Sequence, residues 1–133
     1  MPILNVKISG AANPETTRQV MSLLAELTDT ILGKPPGVTA IVIDYVPETQ
    51  WFVAGAMLSE HKKRSFYFDI KITEGTNTKA QMERYIEAAF RGFEKILGEI
   101  HPESYIYIQE VRGFSYGYGG LTQEYRYIQK KSA

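Results

Sequence analysis

Cysteine is absent from the 133-residue chain, and histidine occurs only twice, at His61 and His101. Without thiols the chain has no disulfide framework, no thiolate nucleophile and no cysteine-ligated metal. The two histidines stand apart, and neither has a second histidine at metal-ligand spacing, so the sequence offers no zinc site. We therefore expect neither a metal centre nor a disulfide scaffold.

Excess charge of one sign and long apolar runs are also missing. Lysine plus arginine equals aspartate plus glutamate at 15 each, so no net field attracts nucleic acid or an anionic membrane. No apolar run approaches the roughly 20 residues that a membrane-spanning helix needs, and no leader-like segment opens the sequence. The 44% of hydrophobic residues is typical of a globular domain. We expect a cytoplasmic protein with neither nucleic-acid nor membrane partners.

The start of the chain carries a group with possible chemistry. Pro2 is small enough for Met1 normally to be removed, which would leave a free secondary amine. Such an amine titrates at about pH 8, burial favours its neutral form, and a base near the working pH suits proton transfer. Alternation of Leu4, Val6 and Ile8 predicts a half-buried strand behind it. The alternative is a Met-Pro start without a chemical role, with Met1 retained on the nitrogen.

The first half of the chain predicts a strand, a helix and a second strand. Asn13 followed by Pro14 is typical of a helix start, and apolar residues at helical spacing predict a helix over residues 14–32. Glycine and proline at 33–37 end it. The β-branched run at 38–46 predicts the second strand, parallel to the first with a right-handed crossover.

The second half repeats this pattern. Residues 66–72 and 105–111 predict strands, and between them Thr78 with Gln81 indicates a capped helix that ends at Gly98. Residues 64 or 65 positions apart match, among them Trp51 with Tyr116. We predict one α/β (α+β) domain of two tandem βαβ repeats, 1–60 and 65–124, with a C-terminal tail. The repeats would form a four-stranded mixed sheet with two helices on one face.

The connections and the open face of the sheet complete the prediction. Residues 51–57 indicate a short extended piece, 59–64 a polar surface connection, and 112–120 a glycine-rich hairpin. The hairpin lacks the GxGxxG spacing of a phosphate site. The sheet face away from the helices mixes aromatic, small and charged side chains, which favours packing between subunits. An oligomer is expected.

These features together resemble the tautomerase superfamily. The resemblance rests on Pro2 after Met1, the duplicated βαβ unit, the tetrapeptide at 33–36 (Gly-Lys-Pro-Pro), and Trp51 followed by Gly55. Duplicated members such as macrophage migration inhibitory factor form trimers, so the resemblance implies a cofactor-free homotrimer. It also implies that Pro2 is the general base, or when protonated the acid. Phe66 stands where the second proline would fall, so one site per chain is expected.

The resemblance also suggests substrate-binding residues, each with a plainer alternative. Lys34 would contact a substrate carboxylate, or only favour the end of a helix. Tyr105 and Tyr107 would face the substrate, or only pack between subunits. Trp51 would form a wall of the pocket, or belong to the core. Arg112 could supply a carboxylate contact, or be a solvated hairpin residue.

The sequence departs from this family where its relatives place arginines. Ala12, Ala40, Thr73 and Thr76 occupy those positions, and neither alanine nor threonine can hold a carboxylate as a guanidinium does. This argues against activity on dicarboxylates or haloacrylates. The leading hypothesis is a tautomerase acting on a small keto or enol acid. The alternatives are a lyase that uses protonated Pro2 (a decarboxylase, dehalogenase or hydratase) and a non-catalytic trimeric binding module.

Overall fold

The computed structural model describes residues 2–132. Its elements in chain order are β1 (Ile3–Ser9), α1 (Pro14–Thr30), β2 (Ala40–Val46), β3 (Phe52–Val53), β4 (Ala56–Met57), α2 (Leu58–His61), β5 (Phe66–Thr73), α3 (Lys79–Leu97), β6 (Tyr105–Val111), β7 (Gly117–Tyr118), β8 (Leu121–Thr122) and α4 (Gln123–Ser132). Strand, helix, strand, hairpin and helix thus occur twice in the same order.

Four strands form the main sheet, in the order β2-β1-β5-β6. Within each repeat the two strands are parallel, and β1 pairs with β5 in the antiparallel direction. Each parallel pair needs a crossover, which α1 and α3 supply. The predicted α/β (α+β) fold, with a four-stranded mixed sheet built from two βαβ units, is confirmed.

Both long helices begin where their capping residues predict. The Asn13 side chain accepts the backbone N–H groups of Glu15 and Thr16 at 2.9 and 3.2 Å. At α3 the Thr78 hydroxyl accepts the Gln81 N–H at 3.1 Å, and the Gln81 side chain accepts the Thr78 N–H at 2.9 Å. These bonds satisfy N–H groups that would otherwise lack a helical partner.

Helix α1 ends at Thr30, two residues earlier than predicted. Gly33 adopts the left-handed conformation with φ of 70°. Its N–H donates to Asp29 O at 2.9 Å, and the Lys34 N–H donates to Thr28 O at 3.0 Å. This terminating arrangement needs a positive φ and so favours glycine.

The core lies between the sheet and the two long helices. Leu4, Val6 and Ile8 of β1 are fully buried, as their alternation predicted. In the second repeat the Phe66 ring stacks on Phe93 with centroids 3.9 Å apart. The other buried apolar members of this core are Val20, Leu24, Leu32, Phe68, Ile70, Ile72, Tyr85, Ala89, Leu97 and Ile100.

Each repeat also carries a two-residue hairpin that the sequence analysis resolved only in part. The β3–β4 turn places Ala54 and Gly55 at φ of 53° and 78°, and the β7–β8 turn places Gly119 and Gly120 at 62° and 80°. Positive φ at both central residues is the geometry of the favoured tight hairpin turn. The extended piece predicted at 51–57 is therefore a complete hairpin.

Two of the predicted connections contain helices that the sequence did not indicate. Within the connection predicted at 59–64 lies helix α2, where the Glu60 carboxylate accepts the Met57 N–H at 3.0 Å. The expected C-terminal tail is helix α4, at whose start the Thr122 hydroxyl accepts the Tyr125 N–H at 3.0 Å. Arg126 then donates to Tyr118 O at 2.9 Å. Helix α2 has only four residues and helix α4 buries no side chain, so neither contributes a face to the core.

Within residues 2–132 no helix combines the length and the apolar character required to cross a bilayer. The same residues contain no cluster of three or more histidine, cysteine, aspartate or glutamate side chains arranged to hold a metal ion.

One buried polar pair joins the two repeats and makes a prediction about stability. The hydroxyl groups of Thr28 and Tyr85 lie 2.8 Å apart, and both side chains are fully buried. Burial raises the pKa of Tyr85, so its phenol remains neutral. We expect Tyr85→Phe or Thr28→Val alone to lower the free energy of unfolding by about 1–2 kcal/mol, because each leaves one hydroxyl unpaired.

Urea denaturation of both single variants and of the double variant tests this. Because the double variant leaves no orphan hydroxyl, it should cost less than the sum of the two single changes. Tyr127→Phe is the control, since that side chain is 64% exposed and should have no effect. Strict additivity of the two changes would contradict the prediction.

Candidate active site

Pro2 is buried at the beginning of β1. Its carbonyl oxygen accepts the Ala40 N–H at 3.0 Å, and the next residue, Ile3, pairs with Ala40 on one side and Lys71 on the other. The central position of β1 therefore fixes Pro2 through the sheet itself. Met1, whose predicted removal bears on the Pro2 nitrogen, lies outside the described residues.

A cavity of about 410 Å³ opens beside Pro2. Its walls come from the chain before β2, from the start of β1 and from the β7–β8 hairpin. The lining residues are Pro2, Ile3, Gly37, Val38, Thr39, Ala40, Tyr116, Gly117 and Tyr118. None of these nine described residues carries a charged side chain. The cavity is thus a weakly polar environment, of the kind that favours the neutral form of an amine.

Tyr116 fixes the hairpin wall against the strand next to Pro2. Its hydroxyl donates to Lys71 O at 3.1 Å. Burial raises the pKa of Tyr116, and the Ile3 backbone N–H opposes that rise in part. The phenol therefore remains protonated and structural at neutral pH. The sequence analysis did not select Tyr116, although it matches Trp51 through the internal repeat.

The two strands of the β7–β8 hairpin can pair this closely because residue 117 is glycine. A Cβ atom on Gly117 would lie 2.1 Å from Leu121 O, a backbone atom that cannot move independently of the hairpin. Gly37, on the opposite wall, has nothing within 4 Å of such an atom. The β7–β8 wall is therefore constrained by backbone contact, whereas the wall before β2 has space for a side chain at residue 37.

Lys34 lies at the same end of the sheet but does not line the cavity. Its ammonium donates to the Thr76 hydroxyl at 2.7 Å, and that hydroxyl donates to Thr73 O at 2.6 Å. Burial lowers the pKa of Lys34 from its usual 10.5. A second cation, Arg126, lies 3.9 Å over the Tyr118 ring. These groups supply positive charge near the cavity without entering it.

Tyr105 and Tyr107 lie on β6, away from Pro2 of the same chain. Through the register of the sheet Tyr105 is level with Lys7, five residues along β1 from Pro2, or about 17 Å at about 3.3 Å per residue. Their side chains are 56% and 54% exposed. The Tyr105 hydroxyl donates to the Glu103 carboxylate. Neither tyrosine lines the Pro2 cavity of its own chain.

Trp51 and Arg112 also lie outside the Pro2 cavity. Trp51 lines a second cavity at the opposite end of the sheet, together with Phe66 and Tyr105. Arg112 is exposed, with its guanidinium carbon 5.8 Å from the centre of the Phe114 ring. Within one chain Lys34 and Arg112 therefore lie at the Pro2 end of the sheet without lining the cavity, and Trp51 lies at the other end.

Comparison with known proteins gives one curated relative. No protein-family model matches the chain. The probable tautomerase K2 of Dickeya dadantii (strain 3937) is 27% identical over 66 residues, which are 49% of this chain and 98% of that protein. The matched length is close to that of one repeat.

Solved structures match almost the whole chain. The Q0 fused 4-OT wild-type symmetric trimer superposes with a TM-score of 0.80 at 16% identity, over 92% of this chain and 96% of that one. Pt0534 inactivated by 2-oxo-3-pentynoate gives 0.81 at 15% identity, over 92% and 98%. The macrophage migration inhibitory factor-like protein of Entamoeba histolytica gives 0.74 at 19% identity, over 91% and 97%.

The chain therefore has the tautomerase fold that the resemblance implied. More particularly, it has the fused form of that fold, in which one chain contains two βαβ units.

Proposed function

We propose that this protein is a cofactor-independent tautomerase in which the amine of Pro2 transfers protons between the keto and enol forms of a small carboxylic acid. One observation carries the proposal: Pro2 is buried beside a cavity of about 410 Å³ whose nine described lining residues include no charged side chain. The tautomerase fold and the relative named as a probable tautomerase support it.

The reaction needs one base and one hydrogen-bond donor. The neutral Pro2 nitrogen would remove a proton from the carbon next to the carbonyl and become a secondary ammonium, while the electron pair moves to the carbonyl oxygen as an enolate. The ammonium would then return the proton to the oxygen or to another carbon, which restores the free amine. No electrons are gained or lost overall, so the transfer needs no oxidant.

The substrate carboxylate would be held by Lys34. The lining residues provide no cation, and Lys34 is held at the same end of the sheet by Thr76. A threonine hydroxyl is a weak partner for an ammonium, so a carboxylate can replace it with a charge-assisted bond. The aromatic walls Tyr116 and Tyr118 suit a substrate with a flat, unsaturated body.

The enolate oxygen would be stabilised by Tyr107 of a neighbouring copy within a homotrimer. Fused 4-OT is a trimer, and the open face of β6 exposes Tyr107 as a subunit contact would require. The Tyr105 hydroxyl already donates to Glu103, whereas no hydrogen bond of the Tyr107 hydroxyl is found within residues 2–132. Tyr107 is therefore the better available donor.

Blocking the Pro2 nitrogen is the most direct test of the base. We expect untagged protein that has lost Met1 to ketonise simple enol acids such as enol phenylpyruvate. A variant with an uncleaved residue before Pro2 should be at least about 100-fold slower, because an amide nitrogen has no basic electron pair and a general base contributes about 10²–10⁴-fold. Initial rates from ultraviolet absorbance measure this.

Chemical labelling and pH provide the controls. Since Pt0534 is inactivated by 2-oxo-3-pentynoate, this compound should add once to the free Pro2 chain and not to the blocked one, as measured by intact mass.

The rate of the tautomerase should fall as pH is lowered and Pro2 becomes protonated. A rate that falls with rising pH would instead identify the lyase, and equal rates for blocked and free chains would refute a role for the amine.

Lys34→Met should raise KM for the enol acid by about tenfold or more and change kcat much less, because it removes charge while keeping the side-chain length. As pH is raised, the parent enzyme should lose the charge of Lys34 and its KM should rise. This rise should begin below pH 10.5, the usual pKa of lysine, since burial lowers the pKa of Lys34. The methyl ester of the substrate is the matched control and should be insensitive to the change. An equal effect on acid and ester would contradict carboxylate binding.

Mixing variants tests whether neighbouring copies share a site. We expect Tyr107→Phe to lower kcat about tenfold or more, and sedimentation equilibrium to give a trimer. Co-refolding Tyr107→Phe with the chain blocked at Pro2 should restore activity above the sum of the two, because some mixed sites combine a free Pro2 with an intact Tyr107. As the control, Tyr127→Phe is co-refolded with the chain blocked at Pro2, and the activity of that mixture should not exceed the sum of its two components. No gain on mixing would exclude a donor from another copy.

A further inference from the structure

The second cavity of about 570 Å³ lies at the end of the sheet opposite to Pro2. It is lined by the β3–β4 hairpin, the start of β5 and the segment before β6. The lining residues are Trp51, Phe52, Val53, Ala54, Phe66, Tyr67, His101, Glu103 and Tyr105.

The internal repeat relates this cavity to the one beside Pro2. Phe66 takes the place of Pro2, Trp51 that of Tyr116, and Tyr105 that of Ala40, at offsets of 64 or 65 residues. Phe66 is bonded to Ser65 on its amino side and therefore has no free amine. The duplication has thus kept the concave surface while removing the group that would act as a base, which leaves a cavity suited to binding alone.

The charge of the second cavity is opposite in sign to that of the region around Pro2. Glu103 is the one carboxylate among the nine described lining residues, and none of the ion pairs found within residues 2–132 involves it. The Nδ1 atom of His101 accepts the Glu103 N–H at 3.0 Å and so carries no proton there. An anionic ligand would meet the carboxylate of Glu103 without a compensating cation.

No cation of the described residues forms an ion pair with Glu103. The Arg64 guanidinium donates to Ser9 O at 2.6 Å, and Lys7 lies opposite Tyr67 in the β1–β5 register. Neither side chain lines the cavity. The carboxylate of Glu103, which accepts a hydrogen bond from the Tyr105 hydroxyl, therefore remains available to a positive charge brought by a ligand.

Aromatic rings of the second cavity provide the other contacts that a ligand would make. Trp51, Phe52, Tyr67 and Tyr105 all line the cavity, and the Phe52 side chain is 62% exposed and therefore accessible to a ligand. Faces of aromatic rings attract ammonium groups, with tryptophan the strongest. A carboxylate beside several such rings complements an organic ammonium group attached to an apolar body.

We propose that the second cavity is a non-catalytic binding site for an organic ammonium ion with an aromatic or apolar body, with Glu103 as counter-ion and Trp51 as the main ring contact. This site is independent of the chemistry proposed for Pro2. It takes a ligand of opposite charge to the substrate of that site, so the two ligands would not compete.

The position of Trp51 makes the proposal directly measurable. It is the single tryptophan of the 133 residues, so its fluorescence reports on this cavity alone. We expect 2-phenylethylammonium to change Trp51 emission in a saturable way in the full-length protein. It should bind at least tenfold more tightly than 2-phenylethanol, while 3-phenylpropionate should not saturate at all. These three probes share the ring and differ mainly in charge.

Matched variants test the two named contacts. Glu103→Gln keeps an acceptor for Tyr105 and removes the charge, so it should weaken binding of the cation at least fivefold and leave the alcohol unchanged. Glu99→Gln, also an exposed carboxylate, should have no effect, and the chain blocked at Pro2 should bind the cation normally. Unchanged thermal unfolding of Glu103→Gln establishes that the variant is folded.

Three outcomes would overturn the proposal. These are an absence of saturable change with the ammonium probe, equal affinity for the ammonium and the alcohol, and full affinity of a folded Glu103→Gln protein. The first would also be the result if a neighbouring copy filled the cavity in the assembled protein. Because activity at Pro2 is not the readout, none of these outcomes bears on the proposed tautomerase reaction.

Discussion

The antiparallel pairing of β1 with β5 is the interaction on which the rest of the structure depends. It is the junction between the two repeats, with Ile3 opposite Lys71 and Ile8 opposite Phe66. Because the two strands run in opposite directions, the first residue of each repeat lies at a different end of the sheet. Pro2 and Phe66 are therefore separated by the length of a strand, and each has its own hairpin, cavity and neighbouring charges.

The two ends of the sheet share one backbone arrangement but carry different side chains. Both hairpins use a two-residue turn with positive φ at both positions, and both are followed by a helix. The side chains on that common frame differ. The Pro2 end has neutral walls and a tethered lysine nearby, and the Phe66 end has a carboxylate among aromatic rings. One backbone plan thus presents two chemically distinct surfaces.

The sequence predicted most of the long helices and strands, but less of the candidate active site. Local signals identified the long elements: Asn13 and Thr78 are caps, and buried residues alternate along β1 as far as Ile8. Helices α2 and α4 were missed because short polar helices depend on contacts such as Arg126 with Tyr118. The Thr76 partner of Lys34 lies 42 residues away in sequence and leaves no local pattern. The resemblance placed Trp51 in the Pro2 pocket. Trp51 corresponds to Tyr116 through the internal repeat, and it is Tyr116 that lines the Pro2 cavity.

The hydrogen bond from Tyr116 to Lys71 has a consequence for the synthesis of the protein. Pro2 precedes β1, whereas Tyr116 follows β6, so the two are synthesised at opposite ends of the duplicated fold. The cavity next to Pro2 therefore has no outer wall until the second repeat has been translated. During that interval the segment around Pro2 is open to enzymes that act on nascent chains, and the β7–β8 hairpin then covers it.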